Sequence, residues 1–308
     1  MFIDIAANLS DDMFNGIYHE KKLHESDLDL VVDRARENCE SVIVLAGSIQ
    51  DAYTCLDICQ TFDPECKHLF TTVGFHPLRC AEALKLSHPG CSDQELEERI
   101  YREFSLLVSK AGPHRVVCLG EMGLDYHRLE FADKDLQLRI FKIQLRVATT
   151  KFPQLPILLH LRNAFDDFIQ AIGNYHIQGV VHSFTGSLEQ MQTLVRLGLY
   201  IGVNGCTLRD AFDVVPHIPE DRLLFETDSP YCDIRPTHKA FPLLAGLELA
   251  KTVKPEKFVS GCFVKSRNEP ACINQVAFAV AGIRKTDFLA LSEKVKVNTL
   301  SLFKKPVR

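Results

Sequence analysis

The 308-residue sequence predicts an α/β fold, a (β/α)8 barrel formed as a single domain over residues 1–308. Two regularities carry that reading. Eight short apolar runs recur without the in–out alternation of a half-exposed sheet, as expected of strands buried on both faces of a parallel sheet. Each is followed by a longer amphipathic stretch, so strand and helix alternate. An open doubly wound sheet alternates in the same way, but a count of eight favours closure. No low-complexity tract, Pro/Gly-rich linker or fixed-period repeat divides the chain.

In chain order the runs are MFIDI from residue 1, SVIVLAG from 41, LFTTVGF from 69 and VVCLGE from 116. PILLH from 156, GVVHSF from 179, YIGVNG from 200 and LLFETD from 223 complete the eight. Helical patterns lie between them, clearest over 27–39, 133–149, 164–172 and 188–197. Ser26 is placed to cap the first of these, with Asp27 and Asp29 in an acidic first turn.

Composition bounds the class. Forty acidic against 35 basic side chains give a formal charge of −5, which excludes indiscriminate coating of nucleic acid but leaves room for a local basic site. Eleven Cys in a chain long enough to build its own core point to free thiols in a reducing compartment, not to a disulfide framework. Cys55 and Cys59, at helical i,i+4 spacing, offer a metal-binding pair or, more plainly, core-filling thiols. The opening residues lack a basic n-region and a long apolar h-region, and no apolar run approaches the roughly 20 residues of a membrane span. The expectation is an intracellular protein, cytoplasmic or nuclear, with no membrane association and no obligate protein partner.

The polar residues in the strands say more. Asp4 lies inside the first run, His76 just after the third, and Glu121 at the end of the fourth. His160 ends the fifth, His182 is in the sixth, Asn204 ends the seventh, and Glu226 and Asp228 close the eighth. In a parallel barrel these ends converge on one rim, where active sites are built. One such residue is explained by a core hydrogen bond or a turn. Two His and two carboxylates in the same placement call for pairing or a cation. Imidazole suits Zn, Mn or Fe, and carboxylate suits Mg, Mn or Ca. Without the close CxxC or HxxxH spacing of structural zinc, the mixture reads as a hydrolytic site. Glu121 has two oxygens with which to bridge two ions. Asp228 is suited to hold one ion and to accept a proton from the attacking water.

The segments GEMGLDYHR, LLHLRN, VVHSFTG, LYIGVNG and ETDSPY resemble the successive motifs of the TatD family of metal-dependent deoxyribonucleases. The likeness runs from Phe2 to about Phe303, and DIAANL, FNGIY and SGCFVKSRNEP are most similar to its eukaryotic branch. The resemblance implies a TIM barrel of the metal-dependent hydrolase type and hydrolysis of DNA phosphodiesters. It maps metal ligation onto Glu121, His160, His182 and Asp228, the four that strand-end placement had selected. One departure matters. Many relatives open with an HxH pair, whereas this chain has Ala6 and Asn8. One ion is left with fewer protein ligands, which favours two Mg2+ ions that keep their waters, with Mn2+ or Zn2+ as alternatives. Asp4 or the Asn8 amide oxygen is a candidate to assist, directly or through water, and Asn204 and Glu226 are candidates beside or behind the ions. Asn8 reads equally as a turn residue. His76 reads as a contact to substrate phosphate or to water, or as a histidine holding the rim together.

A phosphodiester needs cationic help beyond the ions. Arg128 in GLDYHR, Arg162 in LLHLRN and Arg267 in KSRNEP are candidates to grip phosphate. Arg267 has a competing reading as a structural clamp pairing with Glu269 or with nearby carbonyls. Phe75, Tyr126, Phe184 and Tyr231 are placed either to stack a terminal base or to fill the core. Two long loops, about 10–25 with Tyr18, His19, Lys21 and Lys22, and about 229–267, are expected to narrow the mouth. That geometry favours DNA as single strands or frayed ends and an exonuclease. A hydrolase of a small phosphoester or lactone of the amidohydrolase type is the alternative, since fold does not fix substrate.

Overall fold

The computed structural model describes residues 1–173 and 175–304. Eight strands pair in chain order, every neighbouring pair parallel. They are β1 (Phe2–Ala7), β2 (Cys39–Val44), β3 (Leu69–Val73), β4 (Val116–Asp125), β5 (Ile157–Arg162), β6 (Gly179–Val181), β7 (Tyr200–Val203) and β8 (Leu223–Phe225). The segment after β8 returns to β1. There the Asp228 amide donates to Ala6 O at 2.8 Å and the Asn8 amide to Ser229 O at 2.6 Å. Asp4 accepts from the amide and hydroxyl of Thr227 at 2.9 and 2.5 Å. The sheet is thereby nearly closed into the barrel that the eight runs predict.

The helices are α1 (Leu28–Asn38), α2 (Ile49–Phe62), α3 (Cys80–Leu84), α4 (Asp93–Ala111) and α5 (Lys134–Lys151). They continue with α6 (Phe165–Ile172), α7 (Leu188–Arg196), α8 (Gly205–Asp210), α9 (Ile273–Arg284) and α10 (Phe288–Phe303). Local chemistry sets their starts. Ser92 and Glu95 form a capping box on α4, Ser187 and Gln190 another on α7, and Asp133 caps α5 by accepting from the Leu136 amide. On α4, Leu96, Ile100, Phe104 and Leu107 recur at helical spacing and are buried, each contributing about 1.5–3 kcal/mol. Ile5, Ile43, Phe70, Val117, Leu158 and Leu224, from six of the strands or their continuations, join Leu302 and Phe303 of α10 in a buried cluster separate from the main core. Among the described residues no helix is long and apolar enough to cross a membrane.

Two local expectations are corrected. Ser26 does not cap α1; its hydroxyl donates to Phe14 O and Asn15 Oδ1, at 3.2 and 3.1 Å. Asp27 precedes the helix without capping it, because Arg267 engages both of its carboxylate oxygens. Cys55 and Cys59 hold no shared metal position. They are buried on α2 and their thiols face different carbonyls, those of Leu45 and Phe70.

Candidate metal centre

Glu121 on β4, His160 on β5, His182 immediately after β6, Asp228 after β8 and His76 after β3 meet at the C-terminal end of the sheet. They open into one cavity of about 1000 Å3. A smaller depression along the outer face of α4 contains none of them. Gly123 helps to bring β4 onto β5, since a Cβ there would stand 1.9 Å from His160 O.

The geometry centres on one oxygen. Glu121 Oε1 lies 2.6 Å from His160 Nδ1 and 2.7 Å from His182 Nε2, and those two nitrogens are 3.3 Å apart. Behind them, His160 Nε2 faces Asp125 Oδ2 at 3.4 Å and His182 Nδ1 faces Glu226 Oε1 at 3.6 Å. A carboxylate facing the far ring nitrogen favours the proton there, although neither distance completes a hydrogen bond, and the near nitrogen is then the one available to ligate. Two imidazole nitrogens sharing one ion at about 2.0–2.1 Å stand about 3–3.4 Å apart. The residues therefore fit a divalent cation.

Electrostatics agree. Burial opposes the Glu121 charge, but His182 and His76, with hydrogen bonds from His160 and His182, outweigh it and hold the carboxyl well below its ordinary range. Burial likewise opposes charge on His182, yet Glu121 and Glu226 raise it well above the usual imidazole value. His160 is raised too, against burial, by its bonds to Asp125 and Glu121. A cation placed between these nitrogens would compete with protons for them.

His76 differs. His76 Nε2 is 3.4 Å from Glu121 Oε1, close enough for its ring to join Glu121 and His160 as a metal-binding group. Its Nδ1, however, accepts from the Leu78 amide at 3.1 Å. Burial lowers its pKa, despite the nearby Glu121, so the ring is neutral and its one proton sits on Nε2. Its Nε2 is thus turned toward Glu121 and the cavity, beside the other two imidazoles.

Asp228 adopts a left-handed backbone, φ 52°, uncommon outside glycine and tolerated by Asp. Asn8 Nδ2 donates to Asp228 Oδ1 at 3.0 Å and to Ser229 O at 3.2 Å, which turns the amide nitrogen, not the oxygen, toward Asp228. Burial pushes the Asp228 carboxyl up to about 6, against the attraction of His182 and with Glu226 and Glu121 adding to it.

Several candidates stand elsewhere. Asp4 is fully buried in its bonds to Thr227, and burial pushes its carboxyl up to about 8, so it closes the barrel instead of facing the cavity. Asn204 caps α8 and donates to Glu226 Oε1 at 2.9 Å, and the buried Glu226 accepts also from the Ser183 amide at 2.6 Å. Both stand behind His182. Arg267 is a correction. Its side chain has no exposure and is clamped by Asp27 at 2.6 and 2.7 Å, by Glu269 at 2.9 Å and by Met13 O at 3.2 Å. The long connection folds inward and carries this residue beneath the first loop, outside the lining of the cavity. Phe75 and Phe184 are buried in the core, and Tyr126 donates to Asp167. Tyr231 is exposed at the mouth.

Arg128 and Arg162 line the cavity, and among the described residues neither enters an ion pair. The sequence reading missed Asp125, because β4 runs four residues past Glu121; its place in GLDYH was the available signal. It also missed Arg79, Arg209 and Arg235 on the cavity wall. From the first loop Ser10, Asp11 and Asp12 line the mouth, in place of Tyr18, His19, Lys21 and Lys22. The two long loops meet where the Tyr231 hydroxyl reaches Asp11 and where His24 stacks on Phe258 with ring centres 4.2 Å apart.

Comparison with known proteins adds to this geometry. A family model described as TatD related DNase matches residues 3–304. The chain is 36% identical to "Deoxyribonuclease Tat-D" of Schizosaccharomyces pombe, across 99% of this chain and 96% of the relative. It is 31% identical to the "3'-5' ssDNA/RNA exonuclease TatD" of Pectobacterium parmentieri, across 76% and 82% of the two chains. The crystal structure of a TatD family hydrolase from Entamoeba histolytica superposes with a TM-score of 0.87 at 35% identity, covering 98% of this chain and 97% of the other.

Proposed function

We propose, from the premise that this chain belongs to the TatD related DNase family, that it is a divalent-metal-dependent deoxyribonuclease. We read its action as trimming of single-stranded or frayed DNA ends. The observation that carries the reading is the facing pair of His160 Nδ1 and His182 Nε2 beside Glu121, each imidazole backed by a carboxylate. Glu121, His160, His182 and Asp228 would hold the metal, read as two Mg2+ ions that Mn2+ or Zn2+ can replace. A divalent cation supplies Lewis acidity and neutralises phosphate charge. Asp228, with its carboxyl near 6, is matched to take a proton from the attacking water at neutral pH. Neutral His76 donates Nε2–H toward a phosphate oxygen, and Arg128 and Arg162 hold flanking phosphates.

The cavity supports the choice of substrate form. At about 1000 Å3 it matches a site for a small ligand, so a nucleotide or two at a chain end suits it better than a duplex. The bacterial relative described as an ssDNA/RNA exonuclease supports action at strand ends. The whole chain, 1–308, is read as one such domain, and its free thiols suit a reducing intracellular compartment. A small phosphoester or lactone would also fit the cavity.

The test is digestion of end-labelled single-stranded DNA with and without Mg2+ or Mn2+, beside duplex, circular single-stranded DNA, RNA, phosphomonoester and lactone. Stepwise release of nucleotides from linear single strands is the expected result. Hydrolysis of the small esters with DNA left intact would replace this reading with the alternative.

A further inference from the structure

We propose that Cys206 and Cys232 are a modification site, forming a reversible disulfide across the mouth of the catalytic cavity. Cys206 lies in the first turn of α8, after β7, and Cys232 four residues beyond Asp228. Both are partly exposed and line the same cavity as the candidate ligands. Their sulfurs stand 2.6 Å apart. Backbone packing holds them there, because a Cβ on Gly205 would lie 1.9 Å from the Cys232 carbonyl oxygen. The two segments touch main chain to main chain, which keeps the two cysteines side by side.

Other thiols lack this arrangement. Six of the eleven cysteines are buried, and among the described residues no other pair of sulfurs is in contact. A shared zinc is the rival explanation, and metal analysis of the protein separates the two. Hydrogen bonding from Cys232 also holds the Cys206 thiol below its ordinary range, with Arg209 assisting.

The co-reactant is a hydroperoxide. The Cys206 thiolate attacks a peroxide oxygen, the O–O bond breaks, and a sulfenic acid forms with loss of water or alcohol. The Cys232 thiol then displaces water from that sulfur. Two S–H bonds are lost, one S–S bond forms, and two electrons and two protons reduce the peroxide.

Cys232 Sγ lies 3.3 Å from Asp228 Oδ2. Oxidation ties the loop carrying Asp228 to α8, so turnover should fall. This consequence rests on the nuclease reading, whereas the linkage does not.

The test uses the full chain, reduced with dithiothreitol and then exposed to hydrogen peroxide. The expected result is a mass loss of about 2 Da and a peptide linking Cys206 to Cys232, both reversed by dithiothreitol. Cys206→Ser and Cys232→Ser should each abolish the linked peptide, while Cys66→Ser and Cys262→Ser should retain it. A link with no nuclease activity in either redox state would uphold the site and count against the nuclease reading. Recovery of both thiols unlinked after peroxide, or of zinc held stoichiometrically by the pair, would overturn the proposal.

Discussion

His160 Nδ1 and His182 Nε2 face each other across 3.3 Å, each also in contact with Glu121 Oε1. Their far nitrogens face Asp125 and Glu226. Such an arrangement holds protons when no cation is present, and a cation must displace them.

Metal binding should therefore release protons and tighten as pH rises through the neutral range, because both imidazoles have raised pKa values. Calorimetric titration with Mn2+ in buffers of different ionisation enthalpy reads the release directly. Chelated protein should show the opposite trend in stability. The contribution of the raised His182 is fully present below the unfolded imidazole value of about 6.5 and is lost as pH rises through its folded value. The melting temperature of chelated protein should fall over that upper window, and the metal-loaded protein should resist the fall. Binding that is independent of pH would contradict the proton-for-metal exchange.

The carboxylates behind the ring and His76 should separate by metal affinity. Asp125→Asn and Glu226→Gln are each expected to weaken Mn2+ binding by about 10–100-fold. His76→Ala should leave the affinity near normal while lowering kcat, because its Nε2 carries a proton that points into the cavity. A large loss of Mn2+ affinity in His76→Ala would make it a ligand.

Asp228→Asn should lower kcat by about 10²–10⁴-fold with little change in melting temperature. In the metal-free protein burial pushes the Asp228 carboxyl up to about 6, and activity of the metal-loaded enzyme should rise with pH as this acid ionises and then flatten. Binding of a cation beside it would move that rise to lower pH. An Asp228→Asn enzyme with the same rate and pH profile as the wild type would remove the residue from the chemistry.

Arg267 and Arg162 should behave oppositely. Arg267→Ala removes the buried cation that Asp27 and Glu269 share and leaves only Arg34 beside them, so the loss in stability should reach about 3 kcal/mol. Its salt dependence of DNA binding should not change. Arg162→Ala should instead raise KM and reduce the slope of log affinity against log salt by about 0.7 for a single strand. Melting curves and a salt series on the inactive Glu121→Gln background distinguish them.

The barrel could be read from the sequence because eight apolar runs and their helical partners repeat a strong local pattern. Glu121, His160, His182 and Asp228 could be singled out because placement at strand ends is itself a sequence property. Glu226, which faces His182 from behind, was among the sequence candidates as well, whereas Asp125 behind His160 was not. Asp125 became visible only when β4 proved to extend past Glu121, which an apolar-run criterion truncates. Arg267 was misassigned because its partner Asp27 is 240 residues away, joined by the folding of two long loops that carry no periodic signal. The pairing of Cys206 with Cys232 likewise depends on a backbone contact at Gly205 that spacing does not encode.

The most direct test combines Mn2+ titration of chelator-stripped protein with hydrolysis of a labelled single-stranded oligonucleotide, comparing the wild type with a His160→Ala/His182→Ala double variant. The wild type should bind Mn2+ and recover activity together, while the double variant should lose both and regain part of the rate only at high Mn2+. Undiminished Mn2+ affinity in the double variant, or hydrolysis that survives exhaustive chelation of the wild type, would contradict the account.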